Sequence, residues 1–436
     1  MIKYWGKDSI ALNTPMNSSV SVTLDQSDLH TITTVAASKS FTADRLWLNG
    51  EETPINSRGK TVLKEIRALA GDRYDPETKE RIVSKSEWPE YKVHISTVNT
   101  FPTGAGLASS AAGLACLVTV LSKLYCVEES YEGQLSTIAR QGSGSASRSL
   151  YGGFVKWEKG VKKDGSDSIA IQVADEKHWP EMRAVILVVS DKEKDTSSTS
   201  GMSTSKSTSP LLTFRAEEVV PKRMEMMEKA YKNHDFETFG KLTMQDSNQF
   251  HATCMDTYPP IFYMTDVSKI IIRLCHVIND FYGSIKAAYT FDAGPNAVIY
   301  CLEKDVEMIT AVMAKYFPAP GSSTDYCSNP AFFDKCSSAS DLIPEELATL
   351  LARTGRVPRS GDVKYVFHTS AGPGPVKQDA DEMLLDPSTG MPVAPKPHHK
   401  KLEIKAPPAA SCGYCSSAML VGVGIITGFL ISTFRK

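Results

Sequence analysis

The residues whose types and spacing are best suited to ligand binding are the glycines and serines of one run, Phe101 to Gly113. This run reads Phe-Pro-Thr-Gly-Ala-Gly-Leu-Ala-Ser-Ser-Ala-Ala-Gly. Before the run, β-branched side chains at positions 93, 95 and 97 alternate with the polar side chains at positions 94 and 96, which predicts a strand over 93–98. After it, leucines recur at helical spacing from Leu114 to Leu124, which predicts a helix. The run is therefore predicted to be a turn that leads from a strand into a helix.

Such a turn can bind a phosphate, because it directs free backbone N–H groups and the positive end of a helix dipole at one point. Gly104 and Gly106 would let an anion approach the backbone, and Ser109 and Ser110 would add hydroxyl donors. An ordinary helix cap has the same composition. The run also follows neither the Walker pattern nor the dinucleotide-binding fingerprint, so its composition alone leaves both interpretations open.

A second Gly/Ser run, Gly142 to Arg148, follows a predicted helix that includes Leu135 and Ile138. It could form another anion cradle, in which the guanidinium of Arg148 offers a forked donor to a carboxylate. The alternative is a flexible linker, which this composition also favours. The arginine within the run, and the aromatic segment 151–157 after it, argue against a linker.

Asp292 follows the apolar run 287–291 and precedes Ala-Gly-Pro-Asn. An Asp in such a turn most often hydrogen-bonds its own backbone. A carboxylate at the end of a strand can also face a cleft, where it orients or deprotonates a hydroxyl group. Two lysines flank an aromatic pair in Lys3-Tyr-Trp-Gly-Lys7, which is also compatible with a core strand whose lysines reach solvent. The Ser/Thr/Lys-rich tract 195–209 is typical of a mobile loop, and such a loop could order over a bound nucleotide.

Length and composition limit the class of protein. The 436 residues allow two domains with sizeable cores, and a net charge of -2 without a basic stripe argues against a nucleic-acid partner. The nine cysteines are scattered and odd in number, which predicts reduced thiols in a cytosolic protein. Cys412 and Cys415 have the spacing of a metal pair but lack a second pair, so no zinc site is expected there. No secretory signal follows Met1.

The elements that must position these residues are β-rich at first and mixed later. Strands are predicted over 20–24, 30–35, 45–49, 184–189, 297–302 and 363–369, and helices over 62–69, 214–232, 235–249, 266–281 and 303–316. Residues 318–337 show no clear periodicity. This order predicts an α+β fold with domains at 1–182 and 183–385.

The end of the chain differs in composition from the rest. Residues 386–412 are rich in proline and lysine and include the pair His398-His399, which predicts a disordered linker. Residues 413–436 form an apolar tail that contains Gly424-x-x-x-Gly428, a helix-dimer pattern. The tail is roughly long enough to span a thin bilayer. A membrane anchor, a mispredicted exon and a buried helix are all compatible with it.

Taken together, these motifs resemble the diphosphomevalonate decarboxylase family of the galactokinase, homoserine kinase, mevalonate kinase and phosphomevalonate kinase superfamily. The resemblance rests on the Phe101 run, the Gly142 run, the N-terminal lysine cluster with Asn17-Ser-Ser19, and the Asp292 turn. It extends to further motifs at 46–50, 190–191, 197–199, 246–248, 250–254 and 262–264.

The resemblance implies an N-terminal ribosomal-protein-S5-like α/β domain and a C-terminal ferredoxin-like α+β domain. It implies that ATP, with Mg²⁺, phosphorylates the tertiary hydroxyl of 5-diphosphomevalonate, after which phosphate and carbon dioxide leave and isopentenyl diphosphate remains. Such a site needs cations, N–H donors, hydroxyl groups and one carboxylate, and the motifs supply all of them. A cytoplasmic homodimer is also implied.

The same resemblance assigns roles to individual residues. Asp292 is implied as the catalytic carboxylate, Lys3 as the cation near the transferred phosphate, and Arg148 as a donor to the substrate carboxylate. The implied substrate contacts are Tyr4, Trp5, Gly6, Lys7, Arg58, Ser143, Gly144, Ser145, Ala146, Ser147, Arg148 and Thr199. The implied ATP contacts are Gly104, Gly106, Leu107, Ala108, Ser109, Ser110 and Ser198. No metal ligand is assigned.

Two features depart from the family pattern. The strand and the Pro-x-Asn-Ile-Ala segment that normally precede Lys3 are missing, which predicts impaired folding or catalysis, and a truncated gene model explains the difference equally well. The apolar tail is unusual in an otherwise soluble family. Two alternatives therefore stay open: a small-molecule kinase that stops at the phosphorylated product, and a catalytically silent, membrane-tethered binding protein.

Overall fold

The computed structural model describes residues 1–101, 109–190 and 194–396, and a two-residue strand at 434–435. The described chain combines helices with sheets that are mostly antiparallel, which confirms the predicted α+β class. Its first part is built on a five-stranded sheet and its second part on a four-stranded sheet.

The first part begins with short strands and contains three α-helices. The strands are β1 (Lys7–Ser9), β2 (Thr14–Pro15), β3 (Ser19–Val22), β4 (Thr31–Ser38), β5 (Arg45–Leu48), β6 (Glu51–Thr53), β7 (Arg73–Tyr74), β8 (Arg81–Val83), β9 (Lys92–Asn99), β10 (Phe154–Trp157) and β11 (Ala170–Ala174). The helices are α1 (Ser57–Ala68), α2 (Ser109–Leu124) and α3 (Gln134–Gly142).

The three helices cover one face of the five-stranded sheet. In that sheet β9 lies between β4, which is antiparallel to it, and β5, which is parallel. Alternate side chains of the strands, such as Val35 and Ile95, pack against Val62 and Ile66 of α1 and Leu121 of α2. Because β9 leads towards the N-terminus of α2, the packing places the start of that helix at one end of the sheet, as the sequence predicts.

The second part is richer in helices. Its strands are β12 (Met182–Val188), β13 (Ala288–Phe291), β14 (Ala297–Leu302) and β15 (Tyr365–Ser370), and a last strand, β16 (Phe434–Arg435), pairs with β4 of the first part. Its helices are α4 (Ser198–Thr208), α5 (Pro210–Phe214), α6 (Val220–Lys232), α7 (Phe236–Asp256), α8 (Asp266–Tyr282), α9 (Glu303–Tyr316), α10 (Pro330–Ser338) and α11 (Glu345–Ala352).

The four strands of the second part form an antiparallel sheet in the order β13-β14-β12-β15. Buried side chains of β12 and β14 pack against α7, α8 and α9 in the largest apolar cluster, which includes Leu187, Phe239, Ile278 and Ile309. Strand β13 lies at the edge of the sheet and ends at Phe291. The turn after it therefore carries Asp292 out of the sheet.

Three segments differ from the sequence predictions. Most of the tract 195–209 is a helix, α4, and not a loop, and Ser197 caps the N-terminus of this helix by accepting a hydrogen bond from Ser200 N–H. The aperiodic segment 318–337 contains most of α10, which is too short for a clear pattern and buries only Phe333 and Cys336. The start of the predicted disordered linker, 386–396, is folded, and Met391 packs on the cluster of Trp47 and Leu385.

Other predictions about the end of the chain fall outside the described residues. These are the remaining linker with His398 and His399, the Cys412/Cys415 pair and the apolar segment up to residue 433. Within the described ranges, no helix combines the length and apolar character needed to cross a bilayer. The seven cysteines in those ranges are all free thiols.

We expect the cap of α10 to contribute measurably to stability. The side chain of Asn329 accepts a hydrogen bond from Phe332 N–H at the start of this helix. Asn329→Ala should lower the free energy of unfolding by about 1 kcal/mol in urea titration, whereas Asn329→Asp, which keeps the acceptor, should stay within a few tenths. Equal stability of the alanine and aspartate variants would contradict the cap.

Candidate active site

A cavity of about 300 Å³ opens between the first and second parts of the chain. Its walls come from the N-terminal segment, the start of α1 and α2, the turn after α3, the segment before α4 and the turn after β13. Most of the polar lining residues are among those that the sequence singled out: Tyr4, Lys7, Arg58, Ser109, Ser110, Ser143, Ser145, Ser198, Thr199 and Asp292. A second cavity of about 280 Å³ shares Asp292 and adds Lys3 and Arg148.

Lys3 and Asp292 form an ion pair at the point where these cavities meet. The Lys3 ammonium lies 3.8 Å from an oxygen of Asp292, and the carboxylate side chain is 54% exposed towards the cavity. Burial by surrounding atoms would raise the pKa of Asp292, but the charges of Lys3, Lys194 and Arg148 outweigh it and hold the pKa below its ordinary value. Asp292 is therefore an ionised acceptor at neutral pH.

A buried imidazole lies behind this pair. His251 of α7 is 4% exposed, and its Nε2 has no hydrogen-bond partner among the described residues. Burial lowers its pKa to about 4, and the charge of Lys3 acts in the same direction. His251 is therefore neutral near pH 7, so it adds no positive charge to the cations that surround Asp292.

Arg148 is held by two hydroxyl groups of strand β3. Its Nε donates to Ser21 Oγ at 2.8 Å and its Nη1 to Ser19 Oγ at 2.6 Å, and its guanidinium lies 5.7 Å from the ring centre of Trp157. Burial lowers its pKa to about 10, so Arg148 stays charged at neutral pH. These contacts fix the orientation of the guanidinium.

The predicted anion cradle 142–148 is compact and not a flexible linker. After α3 the chain forms a 3₁₀-helix, Gly144–Leu150, and its cap residue Ser143 lines the cavity together with Gly144 and Ser145. Ala146 and Ser147 are buried, and the Ser147 hydroxyl donates to Gly144 O, so their side chains do not face the cavity. A Cβ on Gly144 would lie 2.9 Å from atoms of Tyr4 and Trp157, which explains the glycine.

The N-terminal cluster is divided between the cavity and the core. Tyr4 packs edge-on against Trp157, and its buried hydroxyl has no partner among the described residues. Trp5 is 3% exposed and packs in the second part of the chain against Phe250 and Tyr263, with its indole N–H donating to Ser205. Trp5 therefore acts first as an anchor of the N-terminal segment.

Gly6 lets the chain turn after that anchor. Its φ is +82°, and a Cβ there would lie 2.7 Å from Met16 Sδ. Lys7 follows and lines the cavity, where burial and the charge of the nearby Arg58 together lower the pKa of its ammonium to about 8. Arg58 donates to the Thr199 hydroxyl at 3.0 Å, which joins α1 to α4 across the cavity.

Of the predicted nucleotide contacts, Gly104, Gly106, Leu107 and Ala108 lie outside the described residues. Ser109 and Ser110 line the cavity at the first turn of α2, where the positive end of the helix dipole favours an anion. Ser198 also lines it. The first two described residues of that helix thus agree in position with a phosphate site.

Two polar residues that line the first cavity were missed by the sequence reasoning. Lys194 donates to Ser198 Oγ at 2.8 Å and to Ala293 O at 3.0 Å, and burial lowers its pKa although Asp292 opposes the shift. Lys194 belongs to a charged run directly after the buried strand β12, and this position could have identified it as a candidate site residue. Asn13, at φ +54°, lines the cavity with a buried Oδ1 that has no partner among the described residues. Its signal, a lone Asn in a turn, is weak.

The described site is strongly cationic. Lys3, Lys7, Arg58, Arg148 and Lys194 lie at the two cavities, and Asp292 is the only carboxylate among their described lining residues. Such a field favours a ligand with several negative charges. The described residues contain no group of three His, Cys, Asp or Glu side chains that could hold a metal by themselves.

Comparison with models of protein families shows to which family this chain is related. The model of the "Mevalonate 5-diphosphate decarboxylase C-terminal domain" matches residues 184–378, and that of the "Diphosphomevalonate decarboxylase-like N-terminal domain" matches residues 1–170. The chain belongs to the diphosphomevalonate decarboxylase family. The resemblance noted in its motifs is therefore confirmed.

Individual members of the family agree over nearly the whole chain. The diphosphomevalonate decarboxylase of Rattus norvegicus is 50% identical over 394 residues, which are 90% of this chain and 94% of the rat protein. A 2.3 Å crystal structure of a mevalonate 5-diphosphate decarboxylase has 47% identity and a TM-score of 0.74, covering 89% of this chain and 96% of the solved one. A complex of MDDEF with MVAPP, AMPPCP and magnesium has 27% identity and a TM-score of 0.59, covering 86% and 94%.

The depressed pKa of Lys7 predicts that anion binding to this decarboxylase-family site weakens at alkaline pH. As the pH rises through about 8, the ammonium loses its charge, so the affinity for inorganic pyrophosphate should fall by up to about tenfold per pH unit. Titration calorimetry from pH 6.5 to 9.5 measures this slope. Lys7→Gln serves as the control, because it keeps the ionisation of pyrophosphate and of the other site cations, Lys194 and Arg148, but not that of Lys7. Identical slopes for the two proteins would exclude Lys7 as a titrating ligand.

Proposed function

We infer that this chain catalyses the ATP-dependent decarboxylation of 5-diphosphomevalonate to isopentenyl diphosphate, with release of ADP, phosphate and carbon dioxide. The observation that carries this conclusion is the Lys3–Asp292 pair in a cation-lined cavity, in a chain half identical to curated diphosphomevalonate decarboxylases. The reaction belongs to the mevalonate pathway of isoprenoid biosynthesis.

The charge of the cavity suits this substrate. Diphosphomevalonate has a diphosphate at one end and a carboxylate at the other, with the reacting hydroxyl between them. Lys7 and Arg58 offer cations to the diphosphate, while Arg148, held by two serine hydroxyls, offers directed donors to the carboxylate. The buried, unpartnered hydroxyl of Tyr4 supports this role, since a polar ligand would satisfy it.

We propose ATP and Mg²⁺ as the phosphoryl donor and its metal ion. The solved complex of MDDEF with MVAPP, AMPPCP and magnesium supports both. The residues present fit a nucleotide phosphate: Ser109 and Ser110 stand at the N-terminus of α2, and Lys194 stands opposite beside Ser198. Mg²⁺ is commonly held by one carboxylate and by substrate phosphates, so Asp292 and the serine hydroxyls are the protein oxygens available to it.

In the first step the substrate hydroxyl attacks phosphorus. The ionised carboxylate of Asp292 accepts a hydrogen bond from that hydroxyl, which orients a lone pair on its oxygen. The transition state is loose, so the hydroxyl loses its proton late, and a carboxylate with a low pKa can then accept it. Lys3 holds Asp292 ionised and neutralises charge on the transferred phosphoryl group.

In the second step the new phosphate ester leaves as inorganic phosphate with the electrons of its C–O bond. The carboxylate then breaks its C–C bond, loses carbon dioxide and supplies the electron pair of the new double bond. Lys3 and Lys194, whose charges both act on Asp292, are the cations available to stabilise the departing phosphate. A separate catalytic base is not needed for this step.

We also propose that the protein acts as a cytoplasmic homodimer. Free thiols at all seven described cysteines support a reducing compartment. Sedimentation velocity checks the dimer. The membrane anchor suggested by the apolar tail stays a prediction, which flotation of the full chain with liposomes checks.

The first test of the reaction is direct. The protein, ATP, Mg²⁺ and 5-diphosphomevalonate should yield isopentenyl diphosphate and one carbon dioxide per ADP formed, as measured by mass spectrometry and ¹⁴C release. ADP formation with a phosphorylated substrate and no carbon dioxide would instead establish a kinase. Binding of both ligands without ADP formation would establish a silent binding protein.

The second test isolates Asp292. Asp292→Asn is nearly isosteric but lacks the anionic oxygen, so kcat should fall on the order of 10²- to 10⁴-fold while both Michaelis constants change little. Asp8→Asn, which removes an exposed carboxylate outside the cavities, is the matched control and should keep kcat. A simple turn role predicts the opposite for Asp292→Asn: near-normal kcat with a modest loss of thermal stability.

A further inference from the structure

Two neighbouring residues of α7, Asp246 and Ser247, contact the two segments that carry the Lys3–Asp292 pair. Asp246 is fully buried, and Ser247 is 1% exposed. Neither lines the cavities described above. The mechanism uses neither side chain, although both belong to a motif that supports the family resemblance.

Asp246 binds the backbone of Lys3 by a hydrogen bond. Its Oδ2 accepts the Lys3 N–H at 2.7 Å, while its two oxygens bind the guanidinium of Arg215 at 2.8 and 2.9 Å. Arg215 in turn donates to Lys3 O at 3.1 Å. One ion pair therefore holds both the N–H and the carbonyl of Lys3, and the Asn17 side-chain amide donates a second hydrogen bond to the carbonyl at 3.0 Å.

Ser247 holds the backbone of the segment that carries Asp292. Its hydroxyl accepts the backbone N–H of Phe291 at 3.0 Å. Phe291 is the last residue of β13 and directly precedes Asp292. Because Asp246 and Ser247 are adjacent on one helix, α7 fixes the distance between the backbones of Lys3 and Asp292.

We propose that Asp246 and Ser247 are positioning residues for the reaction, which set the distance between the Lys3 ammonium and the Asp292 carboxylate. This inference rests on the proposed function. Phosphoryl transfer depends almost entirely on the placement of charged groups, so a displacement of about 1 Å between these two groups can cost on the order of 10²-fold in rate.

Ser247→Ala is the sharpest test, because it removes one hydroxyl and leaves the buried ion pair intact. We expect kcat to fall about 10- to 100-fold while the Michaelis constants for ATP and diphosphomevalonate stay within about twofold. Asp246→Asn should lower kcat further, because Arg215 then loses its charged partner. Folding of each variant is checked by urea titration, and rates are compared per folded molecule.

Thr253→Val is the matched control. Thr253 is also fully buried on α7, and its hydroxyl donates to Gln249 O without touching Lys3 or β13. This variant should lose stability much as Ser247→Ala does but keep kcat. The inference is overturned if Ser247→Ala has normal kcat, or if Thr253→Val loses kcat equally. Absence of turnover in the unchanged protein would instead contradict the proposed function.

Discussion

The buried ion pair between Arg215 and Asp246 is the interaction on which the site most depends. Both side chains are fully buried, so each charge has lost the stabilisation that water would give it. The attraction within such a pair repays this loss only when the geometry is good and further hydrogen bonds satisfy most of the remaining polar atoms, and here Arg215 Nε is left without a partner among the described residues. Here the Lys3 N–H and Arg223 complete the carboxylate, and burial, which would raise the pKa of Asp246, is outweighed by Arg215. Removal of one partner would cost about 3 to 5 kcal/mol.

The location of that pair has a structural consequence. It lies in the second part of the chain but holds the main chain of Lys3, which belongs to the N-terminal segment. Trp5 enters the apolar cluster of Phe250 and Tyr263 two residues later. The N-terminal segment is therefore fixed by polar and apolar contacts to the second part, while Ile2 bridges Val20 of β3 in the first part, and both parts contribute walls to one cavity.

The sequence predicted most of the site but not its orientation. Motifs identified Lys3, Arg148 and Asp292, because their residue types and neighbours are distinctive. Periodicity predicted the long helices and buried strands, since their patterns extend over several turns or residues. It failed for α4, whose Ser/Thr composition is typical of loops although Ser197 caps a helix there. The sequence pattern also could not reveal that Trp5 packs in the core or that Lys194 lies at the cavity, because both positions depend on contacts between segments that are distant in the sequence.

The distribution of charge also accounts for two reaction steps in one site. Five cations with one carboxylate form an unbalanced field, and burial lowers the pKa values of Lys7, Lys194 and Arg148. A polyanionic substrate restores the balance and stabilises their charged forms. Under the proposed function, phosphoryl transfer moves negative charge from the nucleotide to the substrate oxygen, and the same cationic field would stabilise both positions. Under the same proposal, a kinase would need only the first of these steps, and decarboxylation would add the loss of phosphate and carbon dioxide from a substrate whose carboxylate Arg148, oriented by Ser19 and Ser21, would hold in place.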